Sequence, residues 1–227
     1  MVLIRALLEN RWIQWAIAIC FAVAIIAAWI AWRSGVDLAV LKATWERCNE
    51  YLSAHPAALF WALVFLPALP IPTSALLFTA GVVWGDRPVM AVTLCLLAMA
   101  LNLSWTYWIA ANPGRMLVEK LMVAGKFQIP ELPRGDHLKV ILVLRLTPGL
   151  PFFVQNYVLG FLRAPFFLYL PVSLLCSGLI GTGIILSGVG LGGGKLKSAI
   201  LGVSLIIVGG ILTQAIRRWL ARRKRAF

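Results

Sequence analysis

Acidic side chains are scarce in this chain. Eight Asp and Glu stand against twenty-one Lys and Arg, and charged residues make up 13% of the 227, about half the share of a soluble domain. That shortage excludes an ordinary water-soluble fold, and a mean hydropathy of +0.90 points the same way. Histidine is limited to His55 and His137. The four cysteines, Cys20, Cys48, Cys95 and Cys176, are scattered with no Cys-x-x-Cys pair. A zinc cluster therefore has no ligand set, and the cysteines read as packing residues. No nucleophile–base pair or metal constellation lies within one membrane layer, so the chain does not read as an enzyme.

The net charge of +13 would suit nucleic acid if it were spread over a surface. Instead, six Lys and Arg crowd into residues 217–227, RRWLARRKRAF. Just after an apolar stretch, this run reads as a basic cytoplasmic tail drawn to anionic inner-leaflet lipids, at about 1 kcal/mol per charge. Nucleic acid is not an expected partner.

Apolar length is what the chain has in abundance. Residues 13–32, 89–111, 165–187 and 198–216 each offer about the twenty apolar residues that a ~30 Å hydrocarbon core requires. The first stretch is long for the apolar region of a cleavable signal and is read as an uncleaved helix. Ten tryptophans, among them Trp12, Trp32, Trp84 and Trp219, gather near span ends as interfacial anchors.

Two further apolar stretches are interrupted. Residues 57–84 contain Pro67, Pro70 and Pro72, and residues 138–162 contain Pro148, Gly149 and Pro151. An interior proline costs a helix roughly 3 kcal/mol, through a lost hydrogen bond and a ring clash. Each break leaves two apolar arms of about ten residues, roughly 15 Å long, or half a hydrocarbon core. That is the pattern of a re-entrant hairpin. Broken backbone survives at such depth only where protein or a polar cavity satisfies it.

The expected fold is therefore an all-α integral membrane protein, with four transmembrane helices plus two oppositely oriented re-entrant helical hairpins. Residues 1–227 form one membrane domain in this reading. Positive charge favours cytoplasmic termini and a cytoplasmic 112–140 loop, with Arg33, Lys42, Arg47, Arg87, Lys195 and Lys197 outside. The expected location is the plasma (inner) membrane, multi-pass, with both termini cytoplasmic.

The two interrupted stretches also resemble each other. Pro67 and Pro70 precede Gly81 as Pro148 and Pro151 precede Gly160, and a full span follows each. This is an inverted repeat of the kind whose broken helices meet near the midplane, with Gly81 and Gly160 as packing positions. The alternative is two unrelated proline-kinked spans.

RLTPGLPFFVQNYVLGF, together with the earlier PALPIPTSALLFTAGVVWG, closely resembles the DedA/VTT-domain (SNARE-associated Golgi protein) superfamily. Within it, the nearest branch looks like the yeast Golgi-vesicle Tvp-like one. The resemblance covers about residues 57–190. It implies two opposed re-entrant hairpins, no cofactor, and movement of a membrane phospholipid or polyprenyl-phosphate lipid between leaflets. Typical DedA members carry Pro-Gly-Glu where this chain has Pro72-Thr73-Ser74, and a second arginine where it has Pro151. The acid linked with proton coupling is therefore missing. All eight carboxylates fall outside the spans and breaks, so transport is not expected to be driven by a proton gradient.

Chemistry concentrates around Arg145. A charge at bilayer depth costs at least ~2.5–3.5 kcal/mol on insertion scales, so Arg145 needs a partner or a watery cavity. Its guanidinium fork suits phosphate oxygens, and the helix starts near Thr73 and Phe152 would add N–H groups. A structural role, bonding carbonyls freed by the prolines, is the competing reading. Gln155, Asn156 and Tyr157 are candidate cavity residues, with Asn156 favoured as a tie within the hairpin. Thr73 and Ser74 read as helix caps or substrate ligands.

Asn102 and Thr106 share a helix face at i, i+4 and suit interhelical contacts, while Ser173, Ser177 and Gly181 form a small-residue packing ladder. The run GVGLGGGK (188–195) has neither the preceding strand nor the full pattern of a nucleotide loop, and reads as a flexible external turn. The expected function is a membrane lipid transporter or scramblase acting on a phosphate-bearing lipid. The alternatives are a transporter of a small anion or other solute through the same site, and a non-transporting membrane scaffold. A homo-oligomer is compatible with this composition.

Overall fold

The computed structural model describes residues 38–116, 137–147 and 150–223, which are helical or irregular with no strand among them. The expected span 13–32, the greater part of the 112–140 loop, Pro148 and Gly149, and the charged side chains of the 217–227 tail lie outside the described residues. The chain divides into two compact units, residues 1–51 and 52–227. In the first, helix α1 (Leu38–Ala54) exposes Val40 and Tyr51.

The second unit opens with α2 (Pro56–Phe65), whose proline takes a first-turn position that needs no N–H. A single 3-10 turn, Leu66–Ala68, follows, and Leu69 is already extended (φ −100°, ψ 168°). The residue before a proline is pushed out of the helical region, so Pro70 and Pro72 hold the chain open until α3 (Thr73–Val83) begins. Helix α4 (Pro88–Ile109) runs into a π-turn, Ala110–Gly114, at Pro113. Helix α5 (His137–Arg145) and helix α6 (Phe152–Phe161) flank the second break, with Pro151 as the cap of α6. Helices α7 (Phe166–Gly192) and α8 (Leu196–Arg223) complete the unit.

Three helices are long and apolar enough to cross a membrane: Pro88–Gly114, Phe166–Gly192 and Leu196–Ile216. They coincide with the expected spans 89–111, 165–187 and 198–216. Helices α2, α3, α5 and α6, of 9 to 11 residues each, reach only roughly 15 Å at 1.5 Å per residue.

The packing exchanges arms between the two halves. Helices α2 and α5, the first arms, lie against α4 and α7, the long helices that follow them in sequence. The second arms also pack on the opposite half: α3 on α7, and α6 on α4. Lipid supplies little hydrophobic drive for helix association, so close packing between small residues carries it. A Cβ at Gly81 would collide with the Ile185 carbonyl oxygen. One at Gly160 would lie 2.7 Å from the Tyr107 carbonyl oxygen and 2.8 Å from the Ala110 Cβ. Each second arm thus meets the other half at a glycine.

The glycine run after residue 187 departs from the expected external turn. Helix α7 continues to Gly192, and only Gly193–Lys195 reverse the chain, with Gly194 at φ +64°. The physical reason is contact. A Cβ at Gly188 would strike the Phe78 carbonyl oxygen, one at Gly190 the backbone of Ala199, and one at Gly192 the Val82 side chain. These glycines are spaced two apart because α3 and α8 press on α7 from different sides.

Backbone oxygens cannot move aside as a flexible side chain can. Gly81→Ala and Gly160→Ala should each destabilise the detergent-solubilised protein by about 1–3 kcal/mol. Gly210, with nothing within 4 Å, is the control: its alanine variant should be neutral, or gain up to about 1 kcal/mol from helix propensity. Tryptophan-fluorescence melts would compare the three, and equal melting of all three would deny the two contacts their role.

Candidate functional site

Arg145 ends α5, eight residues and roughly 12 Å beyond His137 along the helix. Its side chain is only 8% exposed. Nε donates to Ser173 Oγ at 2.9 Å, Nη1 to Gln155 Oε1 at 3.3 Å, and Nη2 to the Tyr169 hydroxyl at 3.3 Å. The guanidinium carbon also lies 5.3 Å from the Phe152 ring centre and 5.5 Å from that of Tyr169. Every one of these partners is neutral. A guanidinium has five N–H groups, so two are left without a bonded partner among the described residues. Among the described residues the positive charge is solvated by dipoles and aromatic faces but not cancelled.

Gln155 is held in turn, its Nε2 donating to the Leu150 carbonyl at 2.9 Å, within the break. Tyr169 and Ser173 stand one turn apart on α7 and are fully buried. Sequence reasoning assigned Ser173 to a packing ladder and passed over Tyr169. Two polar side chains at i, i+4 in an apolar span were the signal that both face one polar partner.

The first break is satisfied differently. The Val64 carbonyl, at the end of α2, accepts from Asn102 Nδ2 at 2.7 Å and from Trp105 Nε1 at 2.9 Å. Asn102 Oδ1 accepts from Asn156 Nδ2 at 3.2 Å. Asn156 thus ties α6 to α4, across the two halves, and its own Oδ1 is buried with no partner in the structure. Thr106, expected beside Asn102 as a contact between helices, bonds back to the carbonyls of Asn102 and Leu103 in its own helix. Thr106 also interacts with the Tyr169 hydroxyl of α7, as an interhelical contact, and Trp105 adds a second residue of α4 that reaches another helix.

Tyr157 joins the two breaks directly, its hydroxyl donating to the Ala68 carbonyl at 3.1 Å. Thr73 and Ser74 do not cap α3, because Pro72 occupies the cap position and no side chain bonds there. Thr73 lines a small cavity with Asn102 and Phe152, whereas Ser74 is exposed and stands apart from it. Of the break residues, Pro67 is buried beside that cavity; Pro70, Pro72 and Pro151 are exposed. Thr73 and Phe152 are the first residues of α3 and α6, so two helix starts meet at one cavity. Helix starts carry unpaired N–H groups and a partial positive charge.

The ends of the unit are pinned as well. Lys195 Nζ donates to the Gly85 carbonyl at 2.9 Å and sits 3.5 Å from Asp86. At the other end of α4, Arg163 Nε donates to the Ala111 carbonyl at 3.4 Å, and Arg115 Nη1 to the Phe161 carbonyl at 3.1 Å. No group of three His, Cys, Asp or Glu among the described residues is arranged to hold a metal ion.

Residues 71–190 match the VTT domain family. This stretch, more than half the chain, runs from the first break through α3, α4, α5 and α6 to the end of α7. The chain belongs to the VTT-domain family, within the DedA/SNARE-associated Golgi superfamily. Neither a curated protein nor a solved structure matches it. The VTT/DedA family is generally one of membrane transporters or scramblases, and the long apolar helices of this VTT-domain protein agree with a membrane setting.

The two donors on Val64 make a specific energetic statement. Removing one leaves the carbonyl bonded, and side-chain bonds within membranes average about 0.6 kcal/mol, with a maximum near 1.7. Trp105→Phe alone should therefore cost about that much, beyond any packing loss, and Asn102→Ala about 1–3 kcal/mol more, because it also strips the buried Asn156 Nδ2 of its acceptor. The double variant should exceed the sum of the singles by about 1–3 kcal/mol, because a buried carbonyl is then orphaned. A double-mutant cycle on unfolding in mixed micelles measures the excess; simple additivity would show that Val64 finds another donor.

Proposed function

We propose that this VTT-domain protein moves a phosphate-bearing lipid, a phospholipid or a polyprenyl phosphate, between leaflets through a midplane site bounded by the two broken segments. The observation that carries the reading is Arg145. It is a buried cation whose bonded partners, Ser173, Gln155 and Tyr169, are all neutral. A permanent internal counter-charge would make the guanidinium structural. Neutral partners leave its field available to an anion, and its two spare N–H groups match the oxygens of a phosphate. The converging helix starts at Thr73 and Phe152 add positive potential from the other side.

In this reading each broken segment enters from one face and returns to it, the two from opposite faces, so that 57–84 and 138–162 are re-entrant hairpins. Residues 13–32 supply a fourth span, and both termini are cytoplasmic in an inner, or plasma, membrane. The basic tail holds anionic inner-leaflet lipids by charge. Movement is passive, for want of an intramembrane acid to alternate between charge states. The protein acts without a cofactor and as a transporter rather than an enzyme. The same cation with neutral partners would also serve a small anion or other charged solute, which is the second reading.

Purified protein in liposomes with fluorescent lipids tests the substrate. Arg145→Lys should keep part of the lipid movement, and Arg145→Ala should reduce it by about 10²-fold, the effect of losing roughly 2.7 kcal/mol from a charged contact. A ceramide analogue without phosphate should move poorly, and an imposed pH gradient should leave the final leaflet distribution unchanged. Normal lipid movement by a well-folded alanine variant would remove Arg145 from the site. Phosphate flux without lipid movement would transfer the function to a small anion.

Topology is separately testable. Single cysteines at positions 86 and 195 should react with an impermeant reagent from one side, and cysteines at 115 and 163 from the other. The Lys195 contact with Gly85 and the Arg163 contact with Ala111 support these groupings. Reaction of positions 86 and 163 from the same side would end the inverted-repeat reading.

A further inference from the structure

Phe152 touches both Arg145 and the small cavity by Asn102, whose wall is mostly apolar. Its ring centre is 5.3 Å from the Arg145 guanidinium carbon. The same residue forms part of the cavity wall with Pro67, Thr73, Cys95, Met99 and Asn102. Among the described residues, Arg145 contributes nothing to that wall. The cavity holds about one water and is too small for a phosphate group. The cavity is built against the first break, Arg145 against the second.

The position of Phe152 suits it to move. It is the first residue of α6, after Pro151, and helical side chains lean toward the N-terminus. Elsewhere in a helix that lean lands on the preceding turn. Here no turn precedes, and the ring is only half buried. The ring packs against the hydrophobic cluster and is drawn toward Arg145 by the attraction between the guanidinium and the ring face, which weakens once an anion satisfies the cation's charge.

We infer that Phe152 is the closed gate between Arg145 and the Asn102 cavity, and that an anion bound at Arg145 releases it. An oxyanion on the two spare N–H groups competes for the charge that draws the ring. Binding therefore favours the open position by differential interaction with the two states. The inference rests on the transport reading above and adds the residue that controls opening.

Cys95 supplies a native reporter, since it lies in the cavity wall and is buried. The full chain would carry Ser at positions 20, 48 and 176, leaving Cys95 as its one thiol. A small anionic methanethiosulfonate reagent should then modify Cys95 at least about tenfold faster in Phe152→Ala than in the parent, the change produced by a 1.4 kcal/mol shift in opening. Phe152→Leu should fall between, and Phe152→Trp should be no faster than the parent. Inorganic phosphate should accelerate labelling of the parent and leave Phe152→Ala unaffected.

Equal labelling of parent and Phe152→Ala, with identical gel-filtration profiles, would overturn the gate. If the alanine variant does not fold, Phe152→Leu decides by the same comparison. Labelling and lipid movement separate the two ideas. A parent protein that moves no lipid, but whose Cys95 labelling follows residue 152, would lose the lipid reading and keep the gate. Lipid movement with labelling indifferent to residue 152 would do the reverse.

Discussion

Interrupted backbone in a membrane has no water to turn to, and that constraint organises the rest of the structure. An amide or carbonyl left unbonded in hydrocarbon costs roughly 2–7 kcal/mol, more than most single packing contacts return. The scarce polar side chains of this chain are accordingly placed on backbone carbonyls near the breaks. Asn102 and Trp105 serve Val64, Tyr157 serves Ala68, and Gln155 serves Leu150. Tyr169 reaches the Leu103 carbonyl at 3.2 Å, and Tyr107 reaches that of Ala164 at 2.7 Å. Several of these bonds cross between the two halves, so satisfying the breaks also joins them.

The exchange of second arms follows from the same need. A short helix of about ten residues cannot cross a ~30 Å core or stand alone in it. It must lie along something longer. Gly81 and Gly160 let α3 and α6 approach the backbone of α7 and α4 closely enough for many weak dispersion contacts to add up. The result is a rigid frame of interlocked helices around two breaks. Rigidity matters to a charged site, because a guanidinium held by Ser173, Gln155 and Tyr169 cannot swing away to find water or headgroups.

Against this internal likeness, one difference gives the site its sign. Aligning Pro67 with Pro148 and Pro70 with Pro151 puts Val64 in the place of Arg145. In the first half that position offers a carbonyl, closed off by two donors. In the second it offers a cation with donors to spare. A symmetric pair of breaks would make a neutral polar seam; a single arginine makes it positive. Phe152 lies against that arginine and also lines the cavity beside the first break.

Sequence by itself determined which three described helices are long and apolar enough to cross a membrane, where the helices break, and where the charge lies, because these depend on local matters: apolar length, proline's missing N–H, and the rarity of arginine in hydrocarbon. It also marked Gly81 and Gly160, since their spacing repeats after each pair of prolines. It could not say which partners meet. That Trp105 rather than Thr106 faces Val64, that Ser173 and Tyr169 receive Arg145, and that Gly188–Gly192 continue a helix instead of a loose turn were decided by tertiary structure. Each depends on a neighbour distant in sequence, and in an apolar span a polar side chain has the same local signature whether it bonds its own helix or another. Thr73 and Ser74 carry the same lesson at a helix start, where Pro72 took the capping position that their side chains advertised. A proline's ring already holds the extended backbone that a cap requires, and no side-chain bond is needed to create it.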